Sequence, residues 1–304
     1  MRSLMILWSW PPRDTASGRK QCPIRDSRGR TDILGGMSDA ASRVTVTIDN
    51  GVAEVRLNRP DKRNGLDLPM FTGLIAAGEQ VAADKRVRAV VLSGEGKAFC
   101  AGLDWGAFMA MGPDGAAALL ERGAASPANV AQRACWVWAE VPVPVIAAIH
   151  GAAVGGGLQL ALACDIRIAA ADAQLSVMEV RYGLVPDMSA SKTLLRLVRP
   201  DIARELMYTG RQVSGEEGAR IGLVTRLAED PLAAARELAR TLAAQSPHAI
   251  RAAKRLCNEA PDLDVAKAFV RETELQLGLL GSPNQFEAVQ AVLGRRPPQF
   301  SDPE

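Results

Sequence analysis

The first half of the chain carries hydrophobic patterns that predict strands alternating with helices. Residues 44–48 and 52–57 alternate between apolar and polar positions on either side of residues 49–51, Asp-Asn-Gly, which predicts a β-hairpin. Residues 68–84 repeat apolar positions at helical spacing. Residues 87–93 form a continuous apolar run, which predicts a buried strand.

The same alternation continues through the middle of the chain. A helical run follows Trp105, and residues 115–139 predict one long helix. Residues 143–149 predict a strand, residues 158–163 a helix and residues 165–169 another strand. Strands separated by helices pair in parallel through right-handed crossovers, so the sequence predicts the α/β fold class.

The second half of the chain is dominated by helical periodicity. Only residues 222–225 predict a strand there, whereas seven segments predict helices: 189–197, 200–208, 214–221, 231–244, 247–259, 263–279 and 284–293. We therefore divide the chain into an N-terminal extension of residues 1–36, an α/β core of residues 37–197 and a helical C-terminal region of residues 198–304.

Composition and charge narrow the class of protein. The formal net charge of +2 gives no basic field for nucleic acid, and 48% hydrophobic residues are typical of a globular protein. No apolar run reaches the about 18 residues of a membrane span. Five cysteines lack the spacing of a metal or redox site and predict reduced thiols in a cytoplasmic protein: Cys22, Cys100, Cys135, Cys164 and Cys257. We expect no metal, nucleic acid or membrane partner.

Residues 1–36 differ from the rest of the chain. They carry seven Lys or Arg against three Asp or Glu, are rich in Pro, Gly, Arg and Ser, and lack periodicity. We interpret them as a disordered extension ahead of a start at Met37. An Arg-rich targeting extension is the alternative interpretation.

Two glycine-bearing turns between a predicted strand and a predicted helix are the first candidates for chemistry. They are residues 101–104, Ala-Gly-Leu-Asp, and residues 155–157, Gly-Gly-Gly. A helix start exposes unpaired backbone N–H groups, and two such donors aimed at one oxygen would stabilise an enolate by roughly 3 kcal/mol each. Alternatively, the glycines only permit tight turns and packing. Asp104 and Asp165 lie at element ends, where aspartate usually caps or forms a structural pair.

Few side chains of the usual catalytic types are available. The two histidines, His150 and His248, fit structural roles, and the sequence has no nucleophile-elbow, dinucleotide-binding or Walker motif. Glu179 has apolar neighbours in sequence, so we expect burial to raise its pKa, as suits a general acid or base. Asp187 follows in an apolar loop, and two carboxylates in such a setting can divide donor and acceptor roles.

Together these features resemble the crotonase, or enoyl-CoA hydratase/isomerase, superfamily over residues 42–302. The matching motifs stand in the order and spacing of the family: residues 59–66, 96–104, 150–165, 183–186, 246–247, 286–289 and 295–297. The resemblance implies a crotonase-like spiral of ββα units followed by a helical C-terminal trimerisation region. The protein would then form a homotrimer or a hexamer of two trimers.

The resemblance also implies a substrate and the groups that bind it. The substrate would be an acyl-CoA thioester, so that coenzyme A is part of the substrate and no separate cofactor is needed. The backbone N–H groups of Leu103 and Gly156 would hold the thioester oxygen. The other implied substrate contacts lie in the loop and the two turns: Lys62, Arg63, Ala101, Asp104 and Gly155. For Lys62 and Arg63, ordinary solvated loop charge is the alternative.

One departure from the family pattern bears on the reaction. Enoyl-CoA hydratases activate water with two glutamates; Glu179 matches the second, but Gln159 stands at the first, and an amide cannot deprotonate water. Asp187 stands where hydratases usually carry glycine, and its spacing from Glu179 resembles that of Δ3,5-Δ2,4-dienoyl-CoA isomerases. The match is partial, because those isomerases carry an aspartate where this chain has Gln159.

The leading hypothesis is an acyl-CoA isomerase of fatty-acid-type degradation that stabilises a thioester dienolate or enolate. It would isomerise a dienoyl-CoA or enoyl-CoA by proton transfer, with Glu179 and Asp187 as base and acid and Gln159 positioning the substrate or a water. An enoyl-CoA hydratase that uses Glu179 as its sole catalytic carboxylate is one alternative. A non-catalytic acyl-CoA-binding homologue is the other.

Overall fold

Strands and helices alternate along the protein much as the sequence predicts. The computed structural model describes residues 42–122 and 126–304, so the expectation for residues 1–36 lies outside the described residues. The strands are β1 (Val44–Asp49), β2 (Val52–Leu57), β3 (Ala89–Gly94), β4 (Val145–Ile149), β5 (Ala152–Val154), β6 (Ile166–Ala169), β7 (Gln174–Ser176), β8 (Val213–Ser214) and β9 (Arg226–Leu227). The helices are α1 (Leu68–Ala83), α2 (Trp105–Leu120), α3 (Val130–Glu140), α4 (Gly156–Leu162), α5 (Ala190–Leu197), α6 (Pro200–Thr209), α7 (Gly215–Ile221), α8 (Pro231–Ala243), α9 (Pro247–Glu259), α10 (Val265–Leu277) and α11 (Pro283–Leu293).

The predicted hairpin is formed by β1 and β2, which pair antiparallel with Val46 opposite Val55. Asn50 and Gly51 between them take φ angles of 47° and 78°. Two positive φ angles give a turn whose twist matches that of the strands, and Asn-Gly is the dipeptide that adopts it at least cost.

The hairpin leads into a six-stranded sheet with the order β1-β2-β3-β4-β6-β9, in which all neighbours from β2 onwards run parallel. Every residue of β4 is buried, as are five of the six residues of β3. These strands are continuously apolar because helices cover both faces of the sheet. A smaller sheet, β5-β7-β8, lies beside the first and was not predicted.

Both faces of the main sheet are covered by closely packed helices. On one face, α1 packs against α3, and a Cβ built on Gly78 of α1 would lie 2.5 Å from a methyl carbon of Val137 in α3. On the other face, three alanines of α8 pack against the strands: Ala235, Ala239 and Ala243. The elements β8, β9 and α8, which follow residue 197, therefore belong to the sheets and their cover.

Two predicted elements are wrong in their extent. Residues 115–139 are not one helix, because α2 ends at Leu120 and α3 begins at Val130, where Asn129 and Gln132 form a capping box. The strand predicted at residues 222–225 is displaced to β9. Gly222 ends α7 with a φ of 87°.

The C-terminal helices are tied to the sheet at a few buried points. Lys254 of α9 is buried, and its Nζ donates to the backbone oxygens of Trp138 and Val143 and to Asp165 at 2.8 Å. At the end of the chain, Arg88 binds Asp302 at 2.6 Å and the Phe300 carbonyl at 2.9 Å. By contrast, α10 has no buried residue, and several of its apolar side chains are exposed: Val265, Phe269, Val270 and Leu277.

The described part of the chain contains neither a membrane-spanning helix nor a cluster of metal-binding side chains. Across residues 42–122 and 126–304, no helix has both the length and the apolar character needed to cross a membrane. In the same ranges, no three His, Cys, Asp or Glu side chains come together in a way that could hold a metal ion.

Candidate active site

Neighbouring residues leave little room for side chains at the triple glycine, residues 155–157. Gly155 precedes α4 with a φ of 56°. A Cβ on Gly156 would lie 2.6 Å from the Met188 sulfur, and a Cβ on Gly157 would lie 2.2 Å from the carbonyl oxygen of Cys100. Gly155 is favoured by its backbone conformation, and Gly156 and Gly157 by close contacts, so tight packing accounts for the glycines of this motif.

The second glycine turn lies directly against the first. Cys100 donates its N–H to the Ala152 carbonyl at 2.9 Å, and Val154 donates to the Cys100 carbonyl at 3.1 Å, which joins the segment to β5. A Cβ built on Gly102 would lie 3.6 Å from the backbone nitrogen of Gly156. The two turns that the sequence singled out thus form one backbone cluster.

The backbone N–H groups of Leu103 and Gly156 remain free in this cluster. Leu103 pairs with Leu66 in a parallel bridge in which Leu66 donates to the Gly102 carbonyl at 2.8 Å and Asp104 donates to the Leu66 carbonyl at 3.0 Å. In such a bridge the N–H of Leu103 points away from Leu66. Within residues 42–122 and 126–304, neither N–H has a hydrogen-bond acceptor. The arrangement can therefore offer two donors to one oxygen.

Gln159 lies one turn into α4 and is fully buried. Its Nε2 donates to Oε1 of Glu179 at 2.6 Å. Its Oε1 accepts the backbone N–H groups of Met188 at 2.8 Å and Ala190 at 3.3 Å. The side chain therefore joins the helix after the triple glycine to both segments that carry the candidate carboxylates.

Glu179 begins a short 3₁₀ turn, Glu179–Tyr182, directly after β7. Burial raises the pKa of Glu179, the hydrogen bond from Gln159 lowers it, and the negative charge of Asp187 raises it again. Among the described residues, Oε2 of Glu179 has no hydrogen-bond partner although it is buried. This oxygen can therefore carry a proton to or from a bound molecule.

Asp187 lies in the loop between this 3₁₀ turn and α5 and is close enough to Glu179 to act on its pKa. Its side chain is exposed to solvent, yet the surrounding protein removes enough water from its carboxyl to raise its pKa. A hydrogen bond from its own backbone N–H lowers the pKa by less than burial raises it, and no ion pair within the described ranges holds this carboxyl. The site therefore contains two carboxyl groups whose pKa values are both raised, as the sequence predicted for Glu179.

The loop that carries Lys62 and Arg63 lies against the first turn. Ala101 donates its N–H to the Arg63 carbonyl at 2.9 Å, and both charged side chains are exposed. The loop is held by Asn64, a buried residue that the sequence did not single out, whose Nδ2 donates to carbonyl oxygens including that of Ala98 at 2.8 Å. Lys62 and Arg63 are thus placed beside the turn, with their charges free to meet an anionic ligand.

Asp104 and Asp165 have structural partners. Asp104 forms an ion pair with Arg59 at 2.7 Å, and its other oxygen caps α2 by accepting the Ala107 N–H at 3.1 Å. Asp165 accepts the Val145 N–H at 2.7 Å in addition to the Lys254 ammonium. Both residues therefore cap and pair at element ends.

The two histidines are also held structurally. A ring nitrogen of His150 lies 3.0 Å from the Gly96 carbonyl oxygen, and a ring nitrogen of His248 lies 2.8 Å from the Asn284 amide. Neither histidine is brought to Glu179 or to the free N–H groups by any contact of the described chain.

An aromatic pair that the sequence did not identify joins the two halves of the site. Trp105 follows the Leu103 turn by two residues, Tyr182 ends the 3₁₀ turn of Glu179, and their ring centroids are 4.6 Å apart. An apolar space of about 10 Å³ is lined by residues that include Leu103 and Phe108. A space of that size holds no more than one water.

Comparison with known proteins identifies the family. The family model described as enoyl-CoA hydratase/isomerase matches residues 47–303. The human protein named enoyl-CoA hydratase domain-containing protein 2, mitochondrial, is 32% identical over 291 residues, covering 91% of this chain and 95% of the relative.

Solved structures agree. A crystal structure of enoyl-CoA hydratase from Bacillus anthracis matches with a TM-score of 0.79 and 30% identity, covering 85% of this chain and 98% of that one. A structure of enoyl-CoA hydratase from Mycobacterium smegmatis matches with a TM-score of 0.72 and 29% identity, covering 84% and 98%. The chain belongs to the enoyl-CoA hydratase/isomerase family, the crotonase superfamily, whose members act on acyl-CoA thioesters.

Proposed function

We propose that this protein binds an acyl-CoA thioester with its carbonyl oxygen between the N–H groups of Leu103 and Gly156. The observation that supports this is the contact of two glycine turns whose free N–H groups lie on adjacent backbones. When a proton leaves the carbon beside the thioester, negative charge moves onto that oxygen, and each fixed donor would stabilise it by roughly 3 kcal/mol. The exposed Lys62 and Arg63 would meet the phosphates of coenzyme A.

For the reaction, we favour isomerisation of a dienoyl-CoA or enoyl-CoA. Glu179 would take a proton from the carbon next to the thioester, and the electron pair would move through the conjugated system to the oxygen. Asp187 would return a proton at the far end, so that one proton is lost and one is gained. Support comes from Gln159, an amide that cannot serve as a second base, and from the raised pKa values of both carboxyls, which suit groups that exchange protons.

Hydration is the second candidate. It is favoured by the names of the related proteins and structures, which mostly specify hydratases. In that reaction Glu179 would be the sole carboxylate that activates water, and Asp187 would have no proton to transfer. Gln159 cannot replace the missing carboxylate.

One experiment separates the candidates. Purified protein would be given crotonyl-CoA, to follow hydration, and a 3,5-dienoyl-CoA, to follow the absorbance of the conjugated 2,4-product. We expect isomerisation to dominate and to fall at least 100-fold in both Glu179→Gln and Asp187→Asn. Asp172→Asn, on an exposed turn after β6, is the matched control and should retain activity.

Three results would contradict the isomerase proposal. Full isomerase activity in Asp187→Asn would show that Asp187 is not the acid of the mechanism. Hydration faster than isomerisation, lost in Glu179→Gln alone, would favour the hydratase. Tight binding of both thioesters without turnover would indicate a non-catalytic acyl-CoA-binding homologue.

We also propose that the protein forms a homotrimer, or a hexamer of two trimers, through its helical C-terminal region. The support is α10, whose apolar side chains have no cover in the single chain. Light scattering coupled to size-exclusion chromatography would measure the mass, and a monomer would contradict the proposal. A cytoplasmic location remains a proposal as well, since the human relative is mitochondrial by name.

A further inference from the structure

We propose that Gln159 is a positioning residue, which acts on the reaction through Glu179 and the segment of residues 187–190 and touches neither substrate nor water. This inference rests on the proposed proton transfer by Glu179. It differs from the expectation drawn from the sequence, in which Gln159 positions the substrate or a water.

The orientation of the Gln159 amide is fixed by its partners. Its Oε1 accepts the N–H groups of Met188 and Ala190, and a backbone N–H can only donate, so this end must be the carbonyl. The amino group therefore faces Glu179 and donates to Oε1. The side chain makes three of the four hydrogen bonds that an amide can make, and because it is fully buried it has no exposed surface for a ligand.

This donation makes the two oxygens of Glu179 different. Oε1 is held by Gln159 and lies against the glycine turn, since a Cβ on Gly155 would be 3.5 Å from it. Oε2 is buried without a partner among the described residues. Proton transfer is thereby assigned to Oε2, while Gln159 holds the carboxylate in the orientation that presents this oxygen.

The carbonyl end of Gln159 holds the other carboxyl-bearing segment. Ser189 lies between the two residues that it binds and has a φ of 78°, in the left-handed region that a residue with a Cβ seldom adopts. The Ser189 hydroxyl has no partner within the described ranges that would hold this conformation. The strained segment is held by the two hydrogen bonds to Gln159 and by those that the Ser189 carbonyl accepts from Lys192 and Thr193. Of these, only the bonds to Gln159 link the segment, and with it Asp187, to Glu179.

The decisive variant is Gln159→Glu, which keeps the size of the side chain. Its new carboxylate oxygen would lie where Nε2 now lies, 2.6 Å from Oε1 of Glu179, so that the pair must share a proton. We expect the acidic limb of the pH–rate profile to move upward by at least one pH unit. Gln174→Glu, at an exposed position of β7, is the matched control and should leave the profile unchanged.

A second variant, Gln159→Met, removes all three hydrogen bonds. We expect kcat to fall at least 100-fold while KM stays within threefold of the original, because the residue does not touch the substrate. Ser189→Gly in the Met background should recover at least tenfold of kcat, since glycine relaxes the strained conformation. If Gln159→Met does not fold, Gln159→Glu carries the test alone.

Three results would overturn the proposal: an unchanged pH profile in Gln159→Glu, a rise in KM without loss of kcat in Gln159→Met, or no recovery with Ser189→Gly. The profiles are measured with whichever thioester the wild-type protein turns over, so loss of the isomerase proposal does not remove the test. If the protein turns over neither crotonyl-CoA nor a 3,5-dienoyl-CoA, the titration of Glu179 is followed directly by carbon-13 NMR in wild type and Gln159→Glu.

Discussion

Gly157→Ala is the substitution whose cost follows most directly from the geometry. The added methyl carbon would lie 2.2 Å from the Cys100 carbonyl oxygen and 2.8 Å from the Cys100 Cβ, about 1 Å inside normal contact. The obstacle is backbone, so no rotamer change relieves it. The Cys100 segment must move away from β5 and break the 3.1 Å hydrogen bond from Val154.

The expected cost combines three effects. Overpacking costs about 1–3 kcal/mol, and losing the hydrogen bond costs about 1 kcal/mol. Alanine returns up to about 1 kcal/mol because it favours a helix more than glycine does. The free energy of unfolding should therefore fall by about 2 kcal/mol. Movement of Cys100 also separates Leu103 from Gly156, so kcat should fall by about 100-fold or more, the cost of one misplaced donor.

Urea unfolding followed by circular dichroism, at matched protein concentration, measures the first effect. Gly278→Ala is the control, because Gly278 has a φ of −66° and its Cβ would meet no atom closer than 3.5 Å. That variant should be as stable as wild type or up to about 1 kcal/mol more stable. If the free energy of unfolding of Gly157→Ala is within about 0.5 kcal/mol of that of wild type, the close contact with Cys100 does not require glycine at this position.

Three further predictions concern charged groups. Burial raises the pKa of Glu179 above 4.5, so ionisation of Glu179 destabilises the fold as the pH rises from 4.5 through the raised pKa. Glu179→Gln should therefore raise the melting temperature at about pH 7, and this gain should vanish below about pH 4.5. An equal gain at the two pH values would contradict this. Lys254→Met removes the ammonium from Asp165 and from the buried carbonyl oxygens of Trp138 and Val143. Because Asp165 itself is exposed, the free energy of unfolding measured in urea should fall by about 2 kcal/mol, mainly through the unpaired carbonyls. The double variant with Asp165→Asn should cost less than the sum of the single variants, and simple additivity would refute the coupling. Hydrogen bonding to Arg236 lowers the pKa of Glu54 to about 2, so the stabilisation by ionised Glu54 is complete above about pH 4.5 and is lost as the pH falls towards 2. Glu54→Gln should therefore reduce the slope of the free energy of unfolding against pH in this range. An unchanged slope would show that other carboxylates determine the pH dependence.

The parts of the fold that the sequence predicts are those defined by local pattern. The hairpin has its Asn-Gly turn, and β3 and β4 have apolar runs that only a doubly covered sheet produces. The strands β5, β7 and β8 have only two or three residues each and are defined by their pairing with one another. They are too short to show a periodic pattern in the sequence. The break before α3 was readable, since Asn129 and Gln132 have the spacing of a capping box.

The candidate site also has parts that the sequence predicts and parts that it does not. The two glycine turns were recognisable, and packing does not exclude the proposed donation: the contacts that exclude side chains also bring the turn of Leu103 against that of Gly156. The position of Gln159 was recognisable too, whereas its partners were not. Met188 and Ala190 are 29 and 31 residues away in sequence, and only the folded chain brings them to the amide. The contact of Trp105 with Tyr182 is hidden for the same reason.

The binding of Arg88 to the last residues of the chain bears on how the protein is made. Asp302 is 214 residues from Arg88 in sequence, and β9, an edge strand of the main sheet, lies within that interval. During synthesis from the N-terminus, β3 emerges with its flanking arginine long before either partner exists. The contact can form only after residue 302 has been synthesised, so it comes later in order than the pairing of β1 to β4. Because Arg88 gains these partners so late, other contacts must keep the apolar strands covered until then.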